Sequence, residues 1–252
     1  MPTPIRYFNL FTPRPGTPFA AGSRLAISGI AGLYDPGQIV FLGPHSYLVQ
    51  LTDPRGNPRF RDDTAAPVNL VVQGTMRWFA TWTALPSVPA GNGPQPYKAE
   101  LWAWYGAPRP SPFDAHTSVE FAAYSPEATA PSWSLPTGQN PLRLAIDTPL
   151  VDEEDPAGFD ILLTGSARDF KLEYYLDVVV LNKETNLVVD NLVIPALYNT
   201  GDGYQFRARL RPVASGPAGA LIPHDVAVMA VDKYTGAVRS ATRRKIQVRN
   251  PS

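Results

Sequence analysis

Residues 5–32 read IRYFNLFTPRPGTPFAAGSRLAISGIAG, and residues 141–168 read PLRLAIDTPLVDEEDPAGFDILLTGSAR. Laid over one another without a gap, Thr12-Pro13 falls on Thr148-Pro149 and Ala21-Gly22 on Ala157-Gly158. Leu25 and Ile27 fall on Ile161 and Leu163, and Ser28-Gly29 on Thr164-Gly165. With short gaps the correspondence runs on. SYLVQLTDPRGN (46–57) lies over YLDVVVLNKETN (175–186), VNLVV (68–72) over NLVIP (191–195), and WFATWTALPSVPAG (78–91) over YQFRARLRPVASGPAG (204–219). YKAELWAWYG (97–106) lies over HDVAVMAVDKYTG (224–236), and TSVEFAAYS (117–125) over RRKIQVRNP (243–251). Matches that keep their order point to an internal duplication. The expected organisation is a first domain over residues 1–125, a Pro-rich linker over 126–140, and a second domain over 141–252.

Within each repeat the apolar residues alternate, as half-buried strands require. Ile161, Leu163 and Gly165 share one face; so do Leu176, Val178 and Val180, and Val226, Val228 and Ala230. Turn chemistry separates these runs: Asp53-Pro54-Arg55-Gly56-Asn57, Asn199-Thr200-Gly201-Asp202-Gly203 and Lys233-Tyr234-Thr235-Gly236. The 28 prolines, roughly twice average usage, exclude long helices because Pro breaks helix interiors. About seven short strands per repeat predict an all-β protein built as two tandem β-sandwiches.

The pattern G-x-x-L-x-[IL]-[ST]-G-x-A, at Gly22–Ala31 and again at Gly158–Ala167, resembles the second strand of bacterial and bacteriophage immunoglobulin-like or fibronectin-III-like domains. That resemblance implies a sandwich that serves as a spacer, decoration or adhesion module in virions, tails and surface proteins. The Cys…Trp…Cys set of antibody domains is missing.

Composition excludes several function classes. The chain has 252 residues, with 22 Lys+Arg against 22 Asp+Glu, so a nucleic-acid partner, which needs clustered positive charge, is not expected. No apolar run is long enough to span a bilayer, and at 44% hydrophobic residues the chain is not disordered. It has no cysteine, hence no disulfide, thiolate nucleophile or thiolate metal site. MPTPIRYFNLF lacks the features of a secretory signal, which suggests cytoplasmic synthesis and export as part of a virion or extracellular assembly.

Chemistry is sparse. His45, His116 and His224 show no ligand spacing, and no nucleophile elbow or phosphate loop occurs, so no enzyme activity and no cofactor are expected. Asp152-Glu153-Glu154-Asp155 offers hard oxygen ligands for calcium, but the matching Gly16-Thr17-Pro18-Phe19 shows that the fold does not require these charges, so they read as a solvated loop. Arg243-Arg244-Lys245 reads as a charged edge.

Binding candidates are the tryptophans. Trp78 and Trp82 point the same way along one strand, Trp102 and Trp104 along another, and Trp133 sits in the linker. If Ala99, Leu101 and Ala103 face the core, Trp102 and Trp104 face outward as a protein interface or sugar platform; in the opposite phase they are core. Met229 and Val231 match them, so the face should be core in both repeats or an interface in both. The expected function is structural, with other proteins of an assembly, or further copies of the chain, as partners. The alternative is a carbohydrate-binding or adhesion module using exposed Trp and Tyr.

Overall fold

A computed structural model describes residues 5–35, 40–42, 46–53, 55–62, 71–73, 76–89, 91–104, 115–138, 142–201 and 203–252. Side chains 33–35, 40–42, 46–47, 58–62, 71–73, 76–77, 103–104 and 115, together with those of Ile5 and Arg6, lie outside this description, as does His45. The described residues contain strands, turns and coil, and no helix among them is long and apolar enough to cross a membrane.

The N-terminal half forms β1 (Ile5–Thr12), β2 (Pro18–Ala20), β3 (Arg24–Asp35), β4 (Val40–Leu42), β5 (Ser46–Thr52), β6 (Pro58–Asp62), β7 (Val71–Gln73), β8 (Met76–Ala84), β9 (Gln95–Trp104) and β10 (Ala115–Tyr124). The C-terminal half forms β11 (Arg143–Thr148), β12 (Glu154–Pro156), β13 (Ile161–Arg168), β14 (Tyr174–Asn182), β15 (Val188–Ile194), β16 (Tyr198–Asn199), β17 (Tyr204–Leu210), β18 (Leu221–Asp232) and β19 (Val238–Arg249). Three sheets result. One runs β1-β3-β8-β7 with β4 beside β3; one runs β11-β13-β17-β16; the third has ten strands, β12-β19-β18-β14-β15-β2-β10-β9-β5-β6. The architecture is all-β and immunoglobulin-like, each half crossing from one sheet to the other through a short strand that runs parallel to its last strand (β2 on β10, β12 on β19).

The two halves use the same local devices. Leu10 lies opposite Gly29 and Ile146 opposite Gly165, each followed by a register shift. Gly29 faces Phe79 across the sheet, and Gly165 faces Phe206. A Cβ on Gly29 would stand 2.3 Å from the Asn9 carbonyl oxygen, and one on Gly165 2.2 Å from that of Ala145, so neither site admits a side chain. Ala21 and Ala157 donate their N–H to the carbonyls of Tyr124 and Arg249.

Two parts of the sequence alignment are corrected. VNLVV does not correspond to NLVIP: β7 pairs with β8, whereas β15 pairs with β14, and the counterpart of β15 is β6 (residues 68–70 lie outside the described ones). Short β-branched runs look alike in any strand, so apolarity alone could not separate them. TSVEFAAYS over RRKIQVRNP is one residue out of register. Pairing Ala122 with Pro18 and Gln247 with Glu154 places Phe121 over Ile246, both buried. A slip of one residue exchanges the faces of a strand.

The halves are not separate beads on a linker. One hydrophobic cluster holds Leu25, Ile27 and Trp78 together with Tyr175, Val179 and Met229, so it crosses from one half to the other. The connector is fastened to the C-terminal half. Ala130 N–H donates to the Thr185 carbonyl at 2.8 Å, Arg243 to the Leu135 carbonyl at 3.0 Å, and Ser215 Oγ to the Pro126 carbonyl at 2.6 Å.

Candidate interaction face

The outer face of the N-terminal sheet, with Trp78 and Ala80 on β8 and Ala26 and Ser28 on β3, lies on the outer face of β14 and β18. This explains why every residue of β14 is buried. Leu176, Val178 and Val180 fill the core of their own sandwich, while Tyr175, Val179 and Leu181 fill the joint between the halves. Trp78 packs on Tyr175 with ring centroids 5.0 Å apart, and Lys233 Nζ lies 5.4 Å from the Trp78 ring. Burial holds that ammonium down to about 8, and it donates to the Leu172 carbonyl at 2.7 Å.

Several polar groups pair across the joint. Arg24 grips Asp190 through two bonds of 2.9 and 2.8 Å, and Ala26 N–H donates to Asn191 Oδ1 at 3.1 Å. Asn191 Nδ2 donates to Asp177 at 2.8 Å. Burial raises the Asp177 carboxyl above its usual range, against Arg14 at 3.9 Å, the Asn191 amide and the Thr12 hydroxyl.

The matching face of the N-terminal half carries Gln50, Thr52, Glu100 and Trp102 on β5 and β9. Ala99 and Leu101 on β9 are fully buried in the sandwich core, so Lys98, Glu100 and Trp102 point away from it. Trp102 stacks on His116 of β10, centroids 3.7 Å apart. Glu100 accepts from Gln50 Nε2 at 2.8 Å and from the Thr52 hydroxyl, and His116 Nε2 lies 3.3 Å away. Lys98 pairs with Glu120 at 3.1 Å. Gln50, Thr52, Lys98, Glu100, Trp102 and Glu120 line a groove of about 610 Å³.

The five tryptophans therefore do not form one patch. Trp78 is buried in the joint. Trp82, on the same strand face, emerges beyond the joint at 64% exposure, beside a second groove of about 320 Å³ with Arg24, Arg207 and Arg209. Trp133 is half-buried over the joint, near Arg14 and Asp177. Trp102 is half-buried beside the β5/β9 groove; the Trp104 side chain lies outside the described residues. Gln50, Thr52 and Glu100 were not singled out in the sequence, where only their alternation with buried neighbours marks them, and His116 was weighed only as a metal ligand.

The acidic run forms a turn and β12. Asp152 has a φ of 58° and donates its N–H to the Lys245 carbonyl, and Glu154 pairs with Arg249 at 3.0 Å. Burial, then Glu153, raises the Asp155 carboxyl. Among the described residues no three His, Asp or Glu side chains are grouped to hold a metal ion. His224 is buried in β18, its Nδ1 2.8 Å from the Ile222 carbonyl, and burial lowers it to about 4.

No protein-family model matches this chain, and no curated protein matches it. Among solved structures it is similar to the fibronectin(III)-like modules of Clostridium thermocellum CbhA, at 12% identity and a TM-score of 0.25, over 97% of this chain and 94% of that one. It is also similar to the periplasmic chaperone SfaE, at 14% identity and a TM-score of 0.27, over 97% and 98%. A chimeric titin Z1Z2 tandem aligns at 8% identity and a TM-score of 0.24, over 97% and 100%.

Proposed function

We propose that the chain is a non-enzymatic structural module made of two duplicated immunoglobulin-like sandwiches, residues 1–125 and 141–252, with 126–140 as a fastened connector. It presents the β5/β9/β10 face to a protein of a larger assembly, such as the decoration, tail or fibre of a virion or an extracellular surface structure. One observation carries this reading. The sandwich face that holds Met229 and Val231 serves as a contact surface inside the chain, where the N-terminal sheet covers it, and the same face of the N-terminal half carries Trp102 with Glu100, Gln50 and Lys98 beside a groove of about 610 Å³. A flat aromatic ringed by polar groups suits a protein interface. The test is capture of co-encoded structural proteins by the whole chain and by Trp102→Ala and Glu100→Lys. Loss of capture at an unchanged melting temperature supports the reading; capture by the variants equal to the parent overturns it.

A second reading has its own support. Trp102 beside the Glu100, Gln50 and Thr52 cluster also fits a sugar ring, stacked on the indole and bonded through its hydroxyls. Tight binding on a glycan array, abolished by Trp102→Ala, would install it in place of the first.

A further inference from the structure

We propose that the groove between the two halves is a docking site for an extended segment of a partner protein, one that carries an Asp or Glu beside a bulky apolar residue. This goes beyond the proposed function, because the groove shares no residue with the β5/β9/β10 face.

The groove is made by the joint. β3 and β8 of the N-terminal half contribute one part of its lining, β15 and β17 of the C-terminal half the other, around about 320 Å³. Such clefts between domains are where ligands commonly bind. Small apolar residues line it: Ala26 and Ala80, both buried, and Ala208. Ile194 and Pro195 add apolar surface. Trp82 stands beside them at 64% exposure. An indole next to small apolar residues and arginines is the composition of a protein-binding anchor point.

The main chain at this groove suits a strand. The Gly203 carbonyl accepts from the Thr200 N–H at 2.9 Å, on the β16 side of β17, and the Arg209 carbonyl accepts from Arg24 Nη2 at 2.8 Å. Alternate residues of a strand turn their N–H and carbonyl to the same edge, so Arg207, between them in phase, turns its own there. β16 pairs with β17 only at Tyr204 and Gln205. Among the described strands none pairs with that edge at Arg207, which leaves its N–H and carbonyl to an added strand.

Charge selects the occupant. Three arginines line the groove and no acid does. Arg24 is held by Asp190 and Arg209 by Asp160, so these two are walls of the site and not its anion ligands. Arg207 is exposed on β17 and makes no ion pair among the described residues; Asp147, which borders a neighbouring groove with it, is not within ion-pair reach. Its planar fork matches a carboxylate. A neutral sugar fits less well, because hydroxyls need acceptors as well as donors, and the carboxylates that touch this lining, Asp190 and Asp160, are already held by arginines.

Selection of a displayed random-peptide library on the whole chain supplies the probes, and the enriched peptides are then labelled and titrated by fluorescence polarisation. They are expected to carry an acid next to a large apolar residue, and to bind more weakly as salt rises. Arg207→Glu and, separately, Trp82→Ala should each weaken binding at least about tenfold at an unchanged melting temperature, since both side chains are exposed. Arg207→Lys keeps the charge without the fork and should lose less. Methylating alternate amide nitrogens of the peptide should abolish binding in one phase and spare it in the other. Enrichment of no acidic peptide, equal binding to Arg207→Glu and the parent, or equal tolerance of both methylation patterns overturns the inference. Loss with Trp102→Ala in place of Trp82→Ala overturns it too, and assigns the peptides to the β5/β9/β10 face. Carboxylated sugars bound on an array and lost in Arg207→Glu, with no peptide enriched, overturn it in favour of an acidic glycan.

Discussion

Gly29 and Gly165 show how one missing side chain sets a sandwich. At each, the opposite phenylalanine lies flat across the strand, because hydrogen is the only substituent that leaves room between the ring and a neighbouring carbonyl. A methyl on Gly165 meets the Ala145 carbonyl oxygen and Phe206 Cζ, both at 2.2 Å, and the carbonyl belongs to a paired strand. Gly165→Ala is expected to cost at least about 1–3 kcal/mol, read as a lower urea midpoint; a midpoint equal to the parent's would mean that the ring moves aside freely. His224 is a second single-residue case. Buried and held to about 4 against an ordinary 6.5, it stays neutral in the folded chain where the unfolded chain takes up a proton. Its contribution is complete above pH 6.5 and is lost as pH falls toward 4, by roughly 3 kcal/mol in all. Tyr97 occupies this position in the N-terminal half, so an aromatic ring fits there. His224→Phe should therefore flatten the acid limb of stability between pH 6.5 and 4. Equal acid loss in parent and variant would place the sensitivity elsewhere.

At the scale of the element, the phase of a strand decides what its tryptophan does. Trp78 is buried between two sheets and Trp102 is half-buried against His116, although both lie in well-paired strands. Trp78→Ala is expected to cost about 3–5 kcal/mol, visible as a large drop in melting temperature, and Trp102→Ala much less, with its loss appearing in binding. Equal losses of stability would mean that the β9 face is also core. The alternation of β9 was readable beforehand but its phase was not: the sequence allowed Trp102 on either face, and the burial of Ala99 and Leu101 decides that it points away from the sandwich core. The duplication of β3 in β13 was readable too, because Gly29 and Gly165 keep the same spacing from their turns. The covering of β14 was not readable as such. YYLDVVVLN lacks alternation because both of its faces are buried, and an apolar run says that something covers it without saying what. Met229 and Val231 posed the same question, and the answer is the chain's own N-terminal sheet. Nor could local pattern find Glu100 with Gln50 and Thr52, since they come from β9 and β5, which pair in the sheet but are separated in the chain by β6, β7 and β8.

At the scale of the molecule, the joint makes the two sandwiches depend on one another. Separated from the N-terminal half, the C-terminal half would expose Tyr175, Val179, Met229 and Val231, and leave Asp177 and Asp190 without Arg14 and Arg24. At about 1.5–3 kcal/mol for each apolar side chain buried, that loss is comparable with the net stability of a whole domain, about 5–15 kcal/mol. The N-terminal half in turn would expose Trp78 and the outer edge of β2. The intact chain is therefore expected to unfold in a single calorimetric transition, with van't Hoff and calorimetric enthalpies equal. Residues 141–252 expressed alone should bind a hydrophobic dye or aggregate, and co-expression with residues 1–125 should rescue them as a complex. Two resolved transitions, or a soluble and cooperatively folded 141–252, would show that the joint is a contact between independent domains.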